Sequence, residues 1–408
     1  MVQEEFEKMA DRPEFPMPSP IPFPEEGISD ENVLEAVRQR LSLNPYEVEN
    51  DFSISYVGPP HPISQPVAEL AAGTYFVEWA REGQPGAYQL EKEAVRMMAS
   101  LLGCPDAVGF ITNGGTESNV SALRLARNLF QKSEPEVIMP ASAHYSFRVG
   151  AELLGIRLRE VPLGEDFLPD MNQVGDLIND NTIALVCSAP DGALGVMDPV
   201  QEFAELAHRK GLFLHVDGAF GGFIYPFMRA LGMDVPPFDF GLPGVSSFMT
   251  DGHKLGLMPV ATGFLLIRDE KMLEAIPTHE TVIHNLTATK HGERAAVAWA
   301  VMHRLGRRGY LESVRAVLDV ADLIVKGIER IEGLRLVVRP FITIVNFTSD
   351  EMDVEKIHRE LSAQGWGNSY GVFRGIPRIR LSIHPYRDRE HALQFLNALE
   401  DAVKIAKA

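Results

Sequence analysis

The sequence predicts an α/β protein: a large, mostly parallel sheet flanked by helices, followed by a smaller α+β unit. Two patterns carry this. Between residues 89 and 305, short runs rich in β-branched residues (136–139, 156–161, 183–187, 212–216, 245–249 and 262–267) alternate with helical stretches such as 199–210. Apolar strands separated by amphipathic helices belong to a sheet covered on both faces. Beyond residue 310 the order changes to helix 311–331, strands near 334–338 and 342–348, helix 353–364, strand 378–384 and helix 388–406. That mixture suits a smaller α+β domain. The 408 residues thus divide into an N-terminal arm and helix (1–58), a large domain (59–305) and a small C-terminal domain (306–408).

Each element has a local reason. Pro13, Pro16, Pro18, Pro20, Pro22 and Pro24 forbid helix in the first 25 residues and favour an extended arm. Ser29 before Asp30 and Glu31 reads as a capped helix start, with Leu34, Val37 and Leu41 as its apolar stripe. A helix over 90–102 places Val95, Met98, Leu101 and Leu102 inward and stops at Gly103. Another follows Gly115, with Val120, Leu123 and the stem of Arg127 on one side. A long helix over 292–305 leads out of the large domain.

Composition narrows the class. With 45% hydrophobic and 23% charged residues the chain is an ordinary globular protein, not a disordered or collagen-like one. Its net charge of −18 repels phosphate backbones and anionic lipid, so neither nucleic acid nor a membrane is an expected partner. No run approaches the roughly 20 apolar residues of a membrane span, and the acidic start MVQEEFEKMADRPEF lacks a secretory pattern. Cys104 and Cys187 both lie in apolar stretches and read as buried thiols of a reducing compartment, not as a disulfide or metal site. The expectation is a cytoplasmic enzyme that holds no metal.

Three clusters carry chemistry. Thr112-Asn113-Gly114-Gly115-Thr116-Glu117-Ser118-Asn119 opens a helix after an apolar run, which makes either an anion cradle or a capped tight turn. His215-Val216-Asp217-Gly218-Ala219 sets Asp217 at a strand's carboxyl end, where open α/β sheets contact ligands, or where a loop acid caps the next helix. Gly218 and Ala219 leave room for a flat ring. Asp251-Gly252-His253-Lys254-Leu255-Gly256 follows the strand Val245 to Met249 and surrounds Lys254 with Leu255, Leu257 and Met258. Such surroundings desolvate an ammonium, as a Schiff-base lysine requires, although a lone loop lysine is commonly a solvated charge. Together the three meet the needs of pyridoxal 5′-phosphate: an anion cradle, a partner for the pyridinium nitrogen and an amine for the aldehyde.

With these residues in place, the sequence resembles the group II pyridoxal-phosphate-dependent decarboxylases, closest to the archaeal-type tyrosine/aspartate decarboxylase branch. The matching stretches are HPISQPVAE (61–69), QPGAYQLEKEAVRMMASLLG (84–103), TNGGTESN (112–119), SAHYSF (142–147), HVDGAFGGFIYPF (215–227), DGHKLGLMP (251–259) and RIRLSIHPY (378–386). The resemblance spans residues 58 to 406. It implies the fold-type I architecture, a seven-stranded sheet domain with a small C-terminal domain, in a homodimer whose active sites are shared. It implies decarboxylation of an L-amino acid (aspartate, glutamate, tyrosine or a related acid) through an external aldimine and a quinonoid. Lys254 would carry the cofactor, Asp217 would pair with the ring nitrogen, His144 would stack on the ring and Ala219 would pack beneath it. Gly115 and Thr116, helped by His253 and Thr250, would bind phosphate. Arg380 falls where the family places an arginine for the substrate carboxylate, or it pairs with an acid structurally; His61 is the second substrate-binding candidate.

The departures from the family are specific. Pro190-Asp191-Gly192 stands where the family has a Gly-Thr pair. Ala288-Thr289-Lys290-His291-Gly292 stands for the dimer-contact motif Gly-Thr-Arg-Ser-Gly, leaving Thr289 as a phosphate ligand for the neighbouring subunit. The tyrosine that reprotonates substrate carbon in related enzymes has no counterpart between Phe248 and Arg308; His279, His284 and His291 occupy that region, with His284 the first choice as donor. A carbon–carbon lyase of the sphingosine-phosphate-lyase type shares the same motifs and is the alternative. An inactive-fold binding protein is the remote one, disfavoured because Lys254 and Asp217 are both present.

Overall fold

The computed structural model of the chain describes residues 23–42, 58–77, 85–276, 285–287 and 289–407. Most of the proline arm, His279 and His284 lie outside the described residues. Helix α1 (Asp30–Leu41) begins as its sequence indicates, with Ser29 Oγ accepting from Asn32 N at 3.3 Å. Its stripe of Leu34, Val37 and Leu41 is exposed. Helix α2 (Ser64–Ala71), strand β1 (Tyr75–Val77) and helix α3 (Pro85–Leu101) follow. Helix α3 starts earlier than its apolar periodicity suggests, on a proline whose missing N–H is harmless in a first turn. Val95, Met98 and Leu102 are buried and Leu101 half-buried.

The large sheet is then laid down as β2 (Val108–Thr112), α4 (Gly115–Phe130), β3 (Glu136–Pro140), α5 (Ser146–Leu154), β4 (Arg157–Val161) and α6 (Met171–Leu177). It continues with β5 (Thr182–Ser188), α7 (Val200–Lys210), β6 (Phe213–Asp217), α8 (Tyr225–Ala230), β7 (Ser247–Asp251) and β8 (Gly263–Ile267). The seven strands run in the order β2-β8-β7-β6-β5-β3-β4. Strand β8 is antiparallel to both neighbours and every other pairing is parallel. Six carboxyl ends therefore share one edge. Strands β3, β5, β6, β7 and β8 are buried along their whole length, as strands covered on both faces must be.

Strand β9 (Thr289–His291) returns to pair with β1, Thr289 opposite Val77. The two helices expected over 292–305 and 311–331 are both present, meeting at a kink at Gly306, where φ is 57° and ψ −173°; the pair is labelled together as α9 (Gly292–Arg330). The second sheet comprises β10 (Arg335–Leu336), β11 (Ile344–Thr348), β13 (Ile376–Ser382) and β12 (Ser369–Phe373), all antiparallel in that order. Helices α10 (Val354–Ala363) and α11 (Arg389–Lys407) complete it. Two apolar cores result. The larger includes Val301, Tyr310 and Val314 of α9; the smaller begins at Val317 and takes in Ile324, Phe347, Ile379 and Phe395. The cores thus meet within α9, past residue 306.

Candidate active site

Strands β2, β6 and β7 end at the same sheet edge, and their ends deliver the three clusters side by side. Asp217 is the last residue of β6 and 5% exposed. Its Oδ1 accepts from Ala219 N at 3.1 Å and its Oδ2 from Asn119 Nδ2 at 2.9 Å. The same Asn119 Nδ2 donates to Ser146 Oγ at 2.9 Å, and Ser146 Oγ lies 2.9 Å from His144 Nδ1. Asn119 Oδ1 is 2.9 Å from His215 Nε2, whose Nδ1 is 2.7 Å from Ser247 Oγ. Burial holds His215 down to about 3, so it stays neutral. His144 is also lowered, first by burial and against the pull of Asp217; the Lys254 charge lowers it further. These effects place His144, Asp217 and Lys254 within one another's electrostatic reach.

Lys254 lies three residues past the end of β7. Its Nζ is 2.9 Å from Asp251 Oδ2, with only 13% and 3% of the two side chains exposed, and 4.4 Å from the centre of the Phe220 ring. The apolar jacket read from Leu255, Leu257 and Met258 is therefore incomplete, since a carboxylate stands directly against the ammonium. His253 Nδ1 stands between Thr262 O at 2.9 Å, to which it could donate, and Thr262 N–H at 3.3 Å, from which it could accept, and its Nε2 is 3.9 Å from Asp251 Oδ2. Helix α4 starts beside this group. Gly114 has φ +89°, and a Cβ there would meet His253 Cε1 at 3.4 Å; a Cβ on Gly115 would approach Asp251 Oδ2 at 3.0 Å. No side chain caps α4, and Thr116 in its first turn is exposed.

Thr250 is fully buried at the end of β7, and its Oγ1 would lie 2.4 Å from a Cβ on Gly222. Gly218 packs against Phe248, a Cβ there falling 2.1 Å from the Phe248 Cζ, and Ala219 is 9% exposed. Cys187 is buried as read, but Cys104 is half-buried.

The departures also find partners. Asp191 accepts from Ala193 N and Leu194 N at 2.8 Å and from Val196 N at 2.9 Å, so its carboxylate ties a loop. Arg380, half-buried on β13, donates to Gly192 O of that loop at 3.1 Å and to Ser369 Oγ at 3.5 Å. Lys290 turns inward to Glu91 at 2.8 Å, while Thr289 and His291 beside it are exposed. His61 accepts from Ile63 N through Nδ1 at 3.1 Å, and its backbone N–H donates to Leu257 O. His284 lies outside the described residues. Asn119 and Asp251 were missed as site residues. Both stood inside quoted motifs, and the available signal was polarity: an Asn on the buried face of α4 and an acid three residues before the lysine need partners.

Comparison with known proteins shows the family. The pyridoxal-dependent decarboxylase conserved domain matches residues 66–349. A protein of Thermococcus kodakarensis named L-aspartate decarboxylase is 36% identical over 397 residues, covering 94% of this chain and 99% of its own. A probable L-tyrosine/L-aspartate decarboxylase of Methanothermobacter thermautotrophicus is 39% identical over 327 residues, 78% of this chain and 89% of its own. Among solved structures, the sphingosine-1-phosphate lyase of Burkholderia pseudomallei superposes with a TM-score of 0.87 at 28% identity, covering 96% of this chain and 94% of its own. The residues present fit the cofactor that the family uses. The uncapped first turn of α4 presents backbone N–H donors to an anion, and a lysine and a buried carboxylate stand at neighbouring strand ends. On the match over most of its length and the fold-type I arrangement of its sheet, the chain belongs to the pyridoxal-dependent decarboxylase family and uses pyridoxal 5′-phosphate.

Proposed function

We propose that L-aspartate is the amino acid this decarboxylase takes, with L-glutamate and L-tyrosine as weaker substrates. The observation that carries the site assignment is the convergence of Lys254, Asp217 and the uncapped start of α4 at one sheet edge. Lys254 would hold the cofactor through its aldehyde, Asp217 would pair with the ring nitrogen, and His144 and Ala219 would pack against the ring. Gly115, Thr116, Thr250 and His253 would take the phosphate. When bound, pyridoxal phosphate supplies a ring that accepts the electron pair left behind as carbon dioxide departs.

The protein's own residues do the rest. Asp251, 2.9 Å from Lys254 Nζ, receives or returns a proton at that nitrogen. Arg380 holds a substrate carboxylate, and its docking on the Gly192 carbonyl fixes the guanidinium's position; His61 completes the substrate side. A histidine of the 279–291 segment, His284 first, returns the proton to the substrate's α-carbon. The working unit is a cytoplasmic homodimer in which the exposed Thr289 reaches the neighbour's phosphate. The aspartate assignment is supported by the relative named L-aspartate decarboxylase and by the cationic Arg380.

The test is a panel of L-amino acids incubated with the holoenzyme, with carbon dioxide and amine followed by mass spectrometry. Aspartate should give carbon dioxide and β-alanine fastest. A carbon–carbon lyase is the second reading, favoured by the likeness to the Burkholderia lyase. Release of a long-chain aldehyde from a phosphorylated amino alcohol, with no carbon dioxide from any amino acid, would establish it instead.

A further inference from the structure

The hydrogen-bond partners of Asp217 run far beyond the cofactor site, and what each atom can do fixes the direction of every link. A backbone N–H can only donate, so Ser146 N, 3.4 Å from His144 Nδ1, requires that nitrogen to be an acceptor and leaves the ring proton on Nε2. An ionised carboxylate can only accept, so the Asn119 amide nitrogen faces Asp217 and Ser146, each at 2.9 Å. The Asn119 oxygen must then face His215 Nε2, at 2.9 Å, and that nitrogen must carry the proton. His215 Nδ1 in turn accepts from Ser247 Oγ at 2.7 Å. Both protons and the oxygen of the Asn119 amide are used, at 1% exposure for Asn119, 1% for His215 and 0% for Ser247. An amide with three fixed partners in a dry interior has one orientation.

We propose that Asn119 is a positioning residue that orients Asp217 and His144 together, its own amide being held from behind by the Nε2–H of His215. One amide nitrogen reaches both groups, directly to Asp217 and through Ser146 to His144. The plane of the carboxylate facing the ring nitrogen and the tilt of the imidazole over the ring are therefore set by one side chain on α4. The inference rests on the placement of Asp217 at the cofactor's ring nitrogen.

The two ring nitrogens of His215 separate this role from packing. Gln at that position keeps a donor where Nε2 stands, whereas Asn keeps only an acceptor where Nδ1 stands. His215→Gln should release cofactor from the diluted holoenzyme within threefold of the wild-type rate and keep kcat within threefold. His215→Asn should release it at least tenfold faster and lose at least tenfold in kcat, with KM for the amino acid within threefold. Asn119→Leu should behave as His215→Asn does. Thermal midpoints of all variants separate folding from function, and should Asn119→Leu not fold, the His215 pair decides. Equal behaviour of His215→Gln and His215→Asn, or wild-type release and kcat in Asn119→Leu, would overturn the proposal. Asp217→Asn is measured alongside: wild-type behaviour there removes the placement of Asp217 and this inference with it, whereas loss there with an unaffected Asn119→Leu removes this inference alone.

Discussion

A charged nitrogen on a side chain that is 13% exposed has to be matched, and Lys254 meets the Asp251 carboxylate and the face of Phe220. Borohydride treatment of the holoenzyme followed by peptide mapping should put the pyridoxyl group on Lys254, and Lys254→Ala should lose all turnover while keeping the fold. Label on any other lysine would refute the assignment. Asp217→Asn keeps the shape at the end of β6 but removes the carboxylate proposed to face the ring nitrogen. Each tenfold in rate is about 1.4 kcal/mol of barrier, and several such steps should be lost; a variant within tenfold of wild type would show that another group faces the ring. Lys254 and Asp217 were legible because strand, glycine and charge occur together in a short span of sequence. Asn119 was not, because its partner Asp217 is 98 positions away and only folding joins them.

The elements that the sequence shows best are those whose whole length obeys one period. The buried strands of the large sheet fall within a residue or two of their expected bounds, as do α7, α10 and α11. Strands β1, β9 and β12 passed unnoticed. The first two are three residues long, and β12 is half-buried throughout with a glycine at its centre, so none has an apolar alternation to read. The two halves of α9 were legible as separate helices because Gly306 and Gly309 interrupt the apolar pattern, and the kink does fall at Gly306. At Gly306 the backbone occupies a region open almost only to glycine, and a Cβ there would meet nothing within 4 Å. Gly306→Ala therefore isolates backbone strain from packing. It should lower the unfolding free energy by about 1–3 kcal/mol in urea titration, with the cofactor spectrum unchanged. No loss of stability would mean that the helix runs straight through this point.

Over the whole molecule, buried titrating groups set opposite limits on stability. His384 and His215 are pushed down by burial, to about 4 and about 3, from 6.5. Between those values and 6.5 the unfolded chain binds protons that the folded chain refuses, so stability falls as the solution is acidified below about pH 6.5. Asp198 runs the other way. Burial raises it to about 8 from 3.8, so the folded chain holds a proton that the unfolded chain has lost, and that stabilisation disappears as pH rises toward 8. Urea midpoints should peak near pH 6.5. His384→Asn should flatten the acid limb and Asp198→Asn the alkaline one; limbs unchanged in both variants would assign the dependence to other groups.

His384 has a second property. Its Nε2 lies 3.0 Å from the backbone oxygen of Lys254, 130 residues earlier, so the C-terminal part of the chain grips the peptide that carries the reactive amine. Anything that binds the folded form alone deepens its free-energy well in proportion to the logarithm of its concentration. Through this grip the gain extends to α11 and the second sheet as well as to the sheet that offers the binding edge. Adding pyridoxal phosphate should therefore slow amide hydrogen exchange in α11, the helix that follows His384. Stripping the cofactor should make the C-terminal core the first part of the protein that a protease can open.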